Sequence, residues 1–230
     1  MTKILRPSAP SGPPPAIAPR LTPPVVILAD GEFPTHHVPL RLLRTAGTIV
    51  CCDGASVKLD AYGRSPDHIV GDLDSLPDGL ALRFADRLHR VASQEANDLT
   101  KAVRFCLQRN VERLKIVGAG GLREDHTIAN ISLLADYAAQ CEVEMLTNYG
   151  SLIALRKTAT LESFVGQQVS IFSLTPTVPV SSDGLRYPLR EQSLDSWWKG
   201  SLNEAAGHAF TLRFEAGIFI VFREYDRQPL

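Results

Sequence analysis

A chain of 230 residues, 44% of them hydrophobic, can bury the core of one large domain or two modest ones. Its 24 basic and 25 acidic residues leave a net charge of −1, and the basic ones are scattered, which excludes the electrostatic footprint of a nucleic-acid binder. The longest apolar runs are strand-sized, so no membrane span is expected.

In chain order, Met1 to Pro24 carries eight of the 16 prolines and lacks the apolar core of a signal peptide. It is expected to be a disordered or extended tail on a cytoplasmic protein. From Val25 to Tyr149 short apolar runs alternate with helix-length amphipathic segments. The runs are 25–29, 48–52, 68–70, 88–91, 114–117 and 143–146, most of them rich in β-branched residues. Between the fourth and fifth, Leu99, Ala102, Val103, Cys106 and Leu107 fall on one helical face. Strand and helix in alternation predict an α/β domain over 25–149, a six-stranded parallel sheet covered by helices on both sides, with ligands bound beyond the carboxyl ends of its strands. From Ser151 onward the period changes to two, in 168–174 and 210–214, with an apolar run at 217–222. Turn-rich pieces at 176–179 and 181–184 separate them. This half, 150–230, is expected to be an antiparallel β-sandwich. The four cysteines, Cys51, Cys52, Cys106 and Cys141, lie in apolar segments without metal-ligand spacing and read as inert buried hydrophobes in a reducing compartment.

Four polar clusters fall at the ends of the strands and hence on one edge of the sheet: Cys52–Ser56, Gly71–Ser75, Gln94–Asp98 and Gly118–His126. Any single Asp among them is explained as a cap for the next helix. Together they ask for more. On an extended chain Asp72 and Asp74 point the same way and are near enough to share one ion. With Asp53 and Asp98 they make four acids without His or Cys, a hard-oxygen environment suited to Mg²⁺; ion pairs with Lys101 and Arg123 are the structural alternative. Mg²⁺ held by few carboxylates takes phosphate oxygens as further ligands. The glycines Gly118, Gly120 and Gly121, the helix start near Asp125 to Thr127 and the Arg123 fork suit the same phosphate. His126 reads either as an acid or base or as a partner of the loop backbone. Trp197 and Trp198 read as stacking groups or as interface residues.

D53-G-A, G71-D-L-D-S75, Gln94 to Asp98 with Lys101 after it, and R123-E-D-H-T-I-A-N130 resemble the thiamine pyrophosphokinase family in order and spacing. L146-T-N-Y-G-S-L152, G184-L-R-Y-P-L189 and G200-S-L-N-E204 resemble its C-terminal domain. The resemblance implies pyrophosphoryl transfer from ATP to the hydroxyethyl oxygen of thiamine, giving thiamine diphosphate and AMP, in a homodimer whose substrate lies where the two chains meet. It implies Mg²⁺ on Asp72, Asp74 and Asp98, with Asp53 supporting metal or nucleotide. Gly54, Lys101, Gly118, Gly120, Gly121, Arg123 and Asp125 are then expected around ATP, and Gln94, Ser201 and Asn203 on thiamine. Leu122 stands where the family usually has Gly, Asn97 where it has Thr, and Ser201-Leu202-Asn203 widens its Ser-Asn pair. The rival readings are a Mg²⁺-dependent transferase or hydrolase with another substrate, and a non-catalytic thiamine sensor.

Overall fold

The structure, a computed structural model, describes residues 20–226. The proline-rich opening falls outside the described residues up to position 19. Thr22 to Pro24 are tied down, because Thr22 and Thr48 exchange hydrogen bonds and the Pro24 carbonyl accepts from the Gly47 and Thr48 amides.

The first half builds β1 (Val25–Leu28), α1 (His37–Thr45), β2 (Thr48–Cys52), α2 (Ala55–Ala61), β3 (His68–Gly71), α3 (Asp78–Arg83), β4 (Leu88–Arg90), α4 (Asp98–Leu107), β5 (Arg113–Val117), α5 (Glu124–Tyr137) and β6 (Glu142–Leu146). These six strands are parallel neighbours in the order β6-β5-β1-β2-β3-β4. Every residue of β1 and β2 is buried, which is why they read as unbroken apolar runs: helices cover both faces. On one face Ile27, Val50 and Ile116 pack against Leu99, Ala102 and Val103 of α4 and Leu134 of α5. On the other, Val26, Leu28 and Ile49 meet Leu43 of α1 and Ala55 and Leu59 of α2.

The second half builds β7 (Gly150–Leu155), β8 (Ala159–Glu162), β9 (Gln168–Ser173), β10 (Pro179–Asp183), β11 (Gln192–Ser193), β12 (Asn203–Glu204), β13 (Ala209–Arg213) and β14 (Phe219–Glu224). The expected mixed architecture is present, a helix-covered α/β sheet followed by antiparallel strands, but the two halves share a sheet. Thr147 closes a hairpin in which its hydroxyl oxygen accepts from the Tyr149 and Gly150 amides, and β7 then pairs antiparallel with β6. The result is one ten-stranded sheet ending β6-β7-β14-β9-β12, over which a second sheet, β11-β10-β13-β8, packs around Val169, Ile171, Phe210, Leu212 and Phe219. The segment 181–184, expected as a turn, corresponds largely to β10, in which Val180 and Ser182 are buried and Ser182 pairs with Leu212. Serine and aspartate mask the strand signal where a buried hydroxyl finds a backbone partner, here the Leu189 amide.

All four cysteines are free, and burial raises each thiol, Cys106 to about 12. They are packing groups, as expected.

At the sheet edge away from the polar clusters, His68 Nδ1 of β3 and His89 Nε2 of β4 lie 2.9 Å apart, both against the Phe105 ring, over which the Arg109 guanidinium stacks at 3.5 Å. Burial lowers both imidazole pKa values, His68 further through His89, Arg109 and Arg87 against an opposing Asp67. The folded state therefore prefers both rings neutral. This contribution is complete above the ordinary pKa of 6.5 and is lost as pH falls from there through the lowered folded values. His89→Gln is expected to flatten the fall of Tm between pH 7 and pH 5, measured by thermal melts at matched ionic strength. An unchanged slope would mean the pair does not resist protonation.

Candidate active site

At the carboxyl ends of β1 to β5 the loops surround a cleft of ≈ 400 Å³. It is lined by Asp30, Asp72, Gln94, Asp98, Lys101 and Arg123, with Asn97, Ala119, Gly120, His126, Thr127 and Asn130. Each acid is positioned by a local cause. Asp53 ends β2 with a left-handed backbone, φ 33°, and its carbonyl accepts from the Ser56 amide and hydroxyl at the start of α2. Gly71 makes room for it: a Cβ there would stand 2.9 Å from the Asp53 Cβ. Gly54 serves Asp30 in the same way, at 2.7 Å from Asp30 Oδ2.

Asp72 and Asp74 do converge, but not through an extended chain. Leu73 between them is left-handed, φ 67°, and turns its side chain into the core beneath α2 and α3. The strain of a branched residue in this region is maintained by that packing. Oxygens of Asp53, Asp72 and Asp74 lie within 4.8 Å of one another. Asp98 opens α4 next to them and takes a different partner: Lys101 Nζ is 2.8 Å from Asp98 Oδ1 and 3.9 Å from Asp72 Oδ2. Lys101, 5% exposed, is held cationic by these acids, the Asp98 hydrogen bond foremost. Gln94 Nε2 donates to Asp72 Oδ2 at 3.3 Å, and this bond is the main reason the Asp72 carboxyl is pushed down.

Asp53 behaves oppositely. It is 4% exposed, its Oδ1 has no hydrogen-bond partner, and its pKa rises to about 6. Desolvation is the main cause; the charges of Asp98, Asp72 and Asp74 add to it, while a backbone hydrogen bond with Ser75 opposes it. A buried orphan carboxylate oxygen facing two further carboxylates is a site short of positive charge. A divalent cation with a preference for oxygen fits this donor set, and the lack of nitrogen or sulfur ligands favours Mg²⁺ over zinc.

Across the cleft the Gly118–Gly121 loop is stitched to the loop after β1. The Gly31 amide donates to the Gly118 carbonyl at 2.7 Å and the Glu32 amide to the Gly120 carbonyl at 2.8 Å. Gly118 and Gly121 have φ of 68° and 87°, which a side chain would resist. Helix α5 begins just beyond, at Glu124, with Arg123 at its N-cap position. Arg123 and Asp125 form a two-pronged pair, Nε to Oδ1 at 3.1 Å and Nη2 to Oδ2 at 2.6 Å, and Asp125 also accepts from the His126 amide. The His126 ring lines the cleft. Leu122, in place of a glycine, is 62% exposed on the rim.

The sequence marks Asn97 as able to cap a helix, which it does, but not the links it makes across the site. Asn97 accepts from the Thr100 amide to cap α4 and donates to Asn130, which donates to the Ala119 carbonyl, linking α4, α5 and the glycine loop. Asp30 pairs with Lys58 at 2.8 Å. The legible signal for Asp30 and Gly31 was that D30-G31 ends β1 as D53-G54 ends β2.

Ser201 and Asn203 lie apart from this cleft and line no part of it. Asn203 is buried and spends its amide on the Tyr187 backbone, donating to the carbonyl at 2.7 Å and accepting from the amide at 3.2 Å. The Ser201 hydroxyl donates to the Trp198 carbonyl. Beside them Trp198 is 73% exposed and Leu202, left-handed at φ 58°, is 78% exposed; Trp197 meets Phe172 edge-on.

Residues 40–145 match the family model described as thiamin pyrophosphokinase, catalytic domain, and residues 150–222 match that described as thiamin pyrophosphokinase, substrate-binding domain. Among solved structures the fold is similar to a thiamin pyrophosphokinase from Geobacillus thermodenitrificans, with TM-score 0.74 at 24% identity over 90% of this chain and 99% of that one. It is similar to the Candida albicans enzyme, with TM-score 0.71 at 19% identity over 87% and 89% of the two chains. For the yeast enzyme the values are 0.73 and 16% over 87% and 86%. A search of curated proteins gives no match.

Proposed function

The chain belongs to the thiamin pyrophosphokinase family, ATP-dependent transferases that act on thiamine, and from that premise we propose how its own residues divide the work. Asp53, Asp72 and Asp74, with Asp98 beside them, hold Mg²⁺. Gln94 receives the aminopyrimidine of thiamine. Gly54, Lys101, the glycines Gly118, Gly120 and Gly121, and the Arg123–Asp125 pair surround the polyphosphate of ATP. The observation that carries this reading is the convergence of three carboxylates within 4.8 Å, one with an unpartnered buried oxygen, next to a cleft that Asp72 lines together with Gly120 of the glycine loop and Arg123 at the start of α5, while Asp53 and Asp74 stand outside its lining.

In the reaction the hydroxyethyl oxygen of thiamine bonds to the β-phosphorus of ATP, the bridging bond to the α-phosphate breaks, and AMP leaves with the bridging oxygen. Such transfers depend on positioning and charge stabilisation more than on a strong base. Arg123 offers a planar fork of donors to the phosphate oxygens, and the first amides of α5 add their positive end. Lys101 places its positive charge beside Asp72 and Asp98 and balances them. Bound Mg²⁺ supplies neutralisation of phosphate charge. Asp98 is also the carboxylate available to take the hydroxyl proton; its contact with Lys101 favours a charge-balancing role over that of a base.

Ser201 reaches thiamine in an assembly of two chains, each offering its C-terminal half to the cleft of the other, and Asn203, its amide engaged by the Tyr187 backbone, shapes the loop that carries Ser201. The exposed Trp197, Trp198 and Leu202 support such an interface. Free cysteines suit the cytoplasm, and no helix among the described residues is long and apolar enough to cross a membrane.

The direct test mixes protein, thiamine, ATP and Mg²⁺ and follows AMP and thiamine diphosphate by chromatography, with EDTA as control, beside sedimentation for the assembly. Equal and Mg²⁺-dependent appearance of both products is expected. AMP without thiamine diphosphate would reassign the acceptor, and turnover by a strictly monomeric protein would remove the shared site.

A further inference from the structure

Two sides of the acidic cleft are joined by a pair of asparagines. The Thr100 amide donates to Asn97 Oδ1 at 2.9 Å, Asn97 Nδ2 donates to Asn130 Oδ1 at 3.0 Å, and Asn130 Nδ2 donates to the Ala119 carbonyl at 2.8 Å. A backbone amide can only donate and a carbonyl can only accept, so the two ends fix which way each side-chain amide faces. Both asparagines line the cleft, yet their oxygens and nitrogens are engaged by each other and by backbone, which makes the pair a strut rather than a ligand.

One end of the strut belongs to the segment 91–97, which has no regular structure and joins β4 to α4. Among the described residues the polar side chains of this segment hydrogen-bond to other elements at two points besides the α4 cap: Gln94 on Asp72 and Asn97 on Asn130. Asp98 follows directly. The other end is the glycine loop, whose Gly121 amide also donates to the Thr127 hydroxyl oxygen at 3.3 Å. Thr127 and Asn130, three residues apart on one face of α5, therefore hold the loop together. We propose that Asn97 and Asn130 are positioning residues that couple the two substrate sites. Polyphosphate on the glycine loop holds Ala119 and, through the strut, the start of α4 and the Gln94 segment in the arrangement that binds thiamine. This rests on the assignment of the glycine loop to ATP and of Gln94 to thiamine. An exposed, irregular segment already ordered by one ligand costs the second less entropy, and the effect is reciprocal, so each substrate tightens the other.

Asn97→Ser keeps an acceptor for the Thr100 amide but is too short to reach Asn130, and Asn130→Ala removes the strut from the side of α5. Titration calorimetry of the full chain with Mg²⁺ would measure thiamine affinity alone and with a saturating ATP analogue that carries a methylene between the α- and β-phosphorus and so resists transfer. In wild type the analogue is expected to tighten thiamine about fivefold or more. In either variant this factor should fall below about twofold while each ligand alone binds within about threefold of wild type, and the double variant should resemble the single ones, because both break one strut. A purely structural role would lower Tm and leave the factor intact. Asn97→Ser, with its cap preserved, serves if Asn130→Ala does not fold. Folded variants that keep the wild-type factor would overturn the proposal, as would a wild type that binds thiamine and the analogue with no influence of one on the other. Wild type that fails to bind thiamine or the analogue would instead remove the assignment of the cleft to these substrates, and the coupling with it.

Discussion

Asp72→Asn and Asp53→Asn are both expected to lower turnover about 10³-fold or more, yet to move stability in different directions. Each replaces a carboxylate with an amide of nearly equal volume, so the cation loses a charged ligand while the packing stays. Asp72 is partly exposed and satisfied by Gln94 and the nearby Lys101, so its replacement gives up favourable contacts and should leave Tm unchanged or slightly lower. Asp53 is buried with an orphan oxygen among like charges. The amide removes one charge and can donate to the remaining acids, which should stabilise the metal-free protein by about 1–2 kcal/mol, roughly 3–6 °C in Tm. Mg²⁺ should raise the Tm of wild type, since it binds the folded site, and should do so weakly or not at all for either variant. Melts with and without Mg²⁺, beside turnover, check this. Asp53→Asn with full activity would remove Asp53 from the metal site, and a loss of stability would show that the native protein already satisfies its carboxylate.

The same acid explains what was legible before the fold was known. The alternation of β-branched runs with amphipathic segments places the strand ends, and the strand ends place Asp53, Asp72 and Asp98 on one edge, because connections in a parallel sheet leave no other arrangement. What pattern does not carry is backbone conformation at single residues. Leu73 in the left-handed region looks in sequence like any leucine in an apolar run, and only its packing under α2 and α3 holds it there. The continuity of the sheet through Thr147 was hidden for a related reason. A change of period from strand-helix alternation to two marks a change of architecture, but whether β7 starts a new sheet or extends the old one depends on a three-residue hairpin closed by one hydroxyl. Hydrogen bonds between distant side chains, such as Asn97 to Asn130, leave no local signature at all.

Gly31→Ala, which changes no charge, should be almost as damaging to catalysis as loss of an acid. A Cβ on residue 31 would lie 2.5 Å from both the Gly118 and the Gly120 carbonyl oxygens and 3.0 Å from the Gly120 amide nitrogen. All three are backbone atoms of the loop that faces the cleft, so no side chain can rotate away and the loop itself has to move. The move strains the hydrogen bonds from Gly31 to Gly118 and from Glu32 to Gly120, which fix that loop on the end of β1. Overpacking of this kind costs about 1–3 kcal/mol, a fall of roughly 3–10 °C in Tm for a chain of this length. The displacement matters more for function, since a shift of about 1 Å in a positioning element can cost about 10²-fold in rate. Because the loop is assigned to ATP, kcat/KM for ATP should drop by about that factor while thiamine affinity, measured without nucleotide, stays near wild type. Gly79→Ala in α3, where a Cβ meets nothing within 4 Å, is the matched control and should be neutral or slightly stabilising. If Gly31→Ala kept both wild-type Tm and wild-type KM for ATP, the contact between the two loops would be looser than the geometry requires, and the glycine loop would no longer be the element that aims the triphosphate at Asp72 and Asp74.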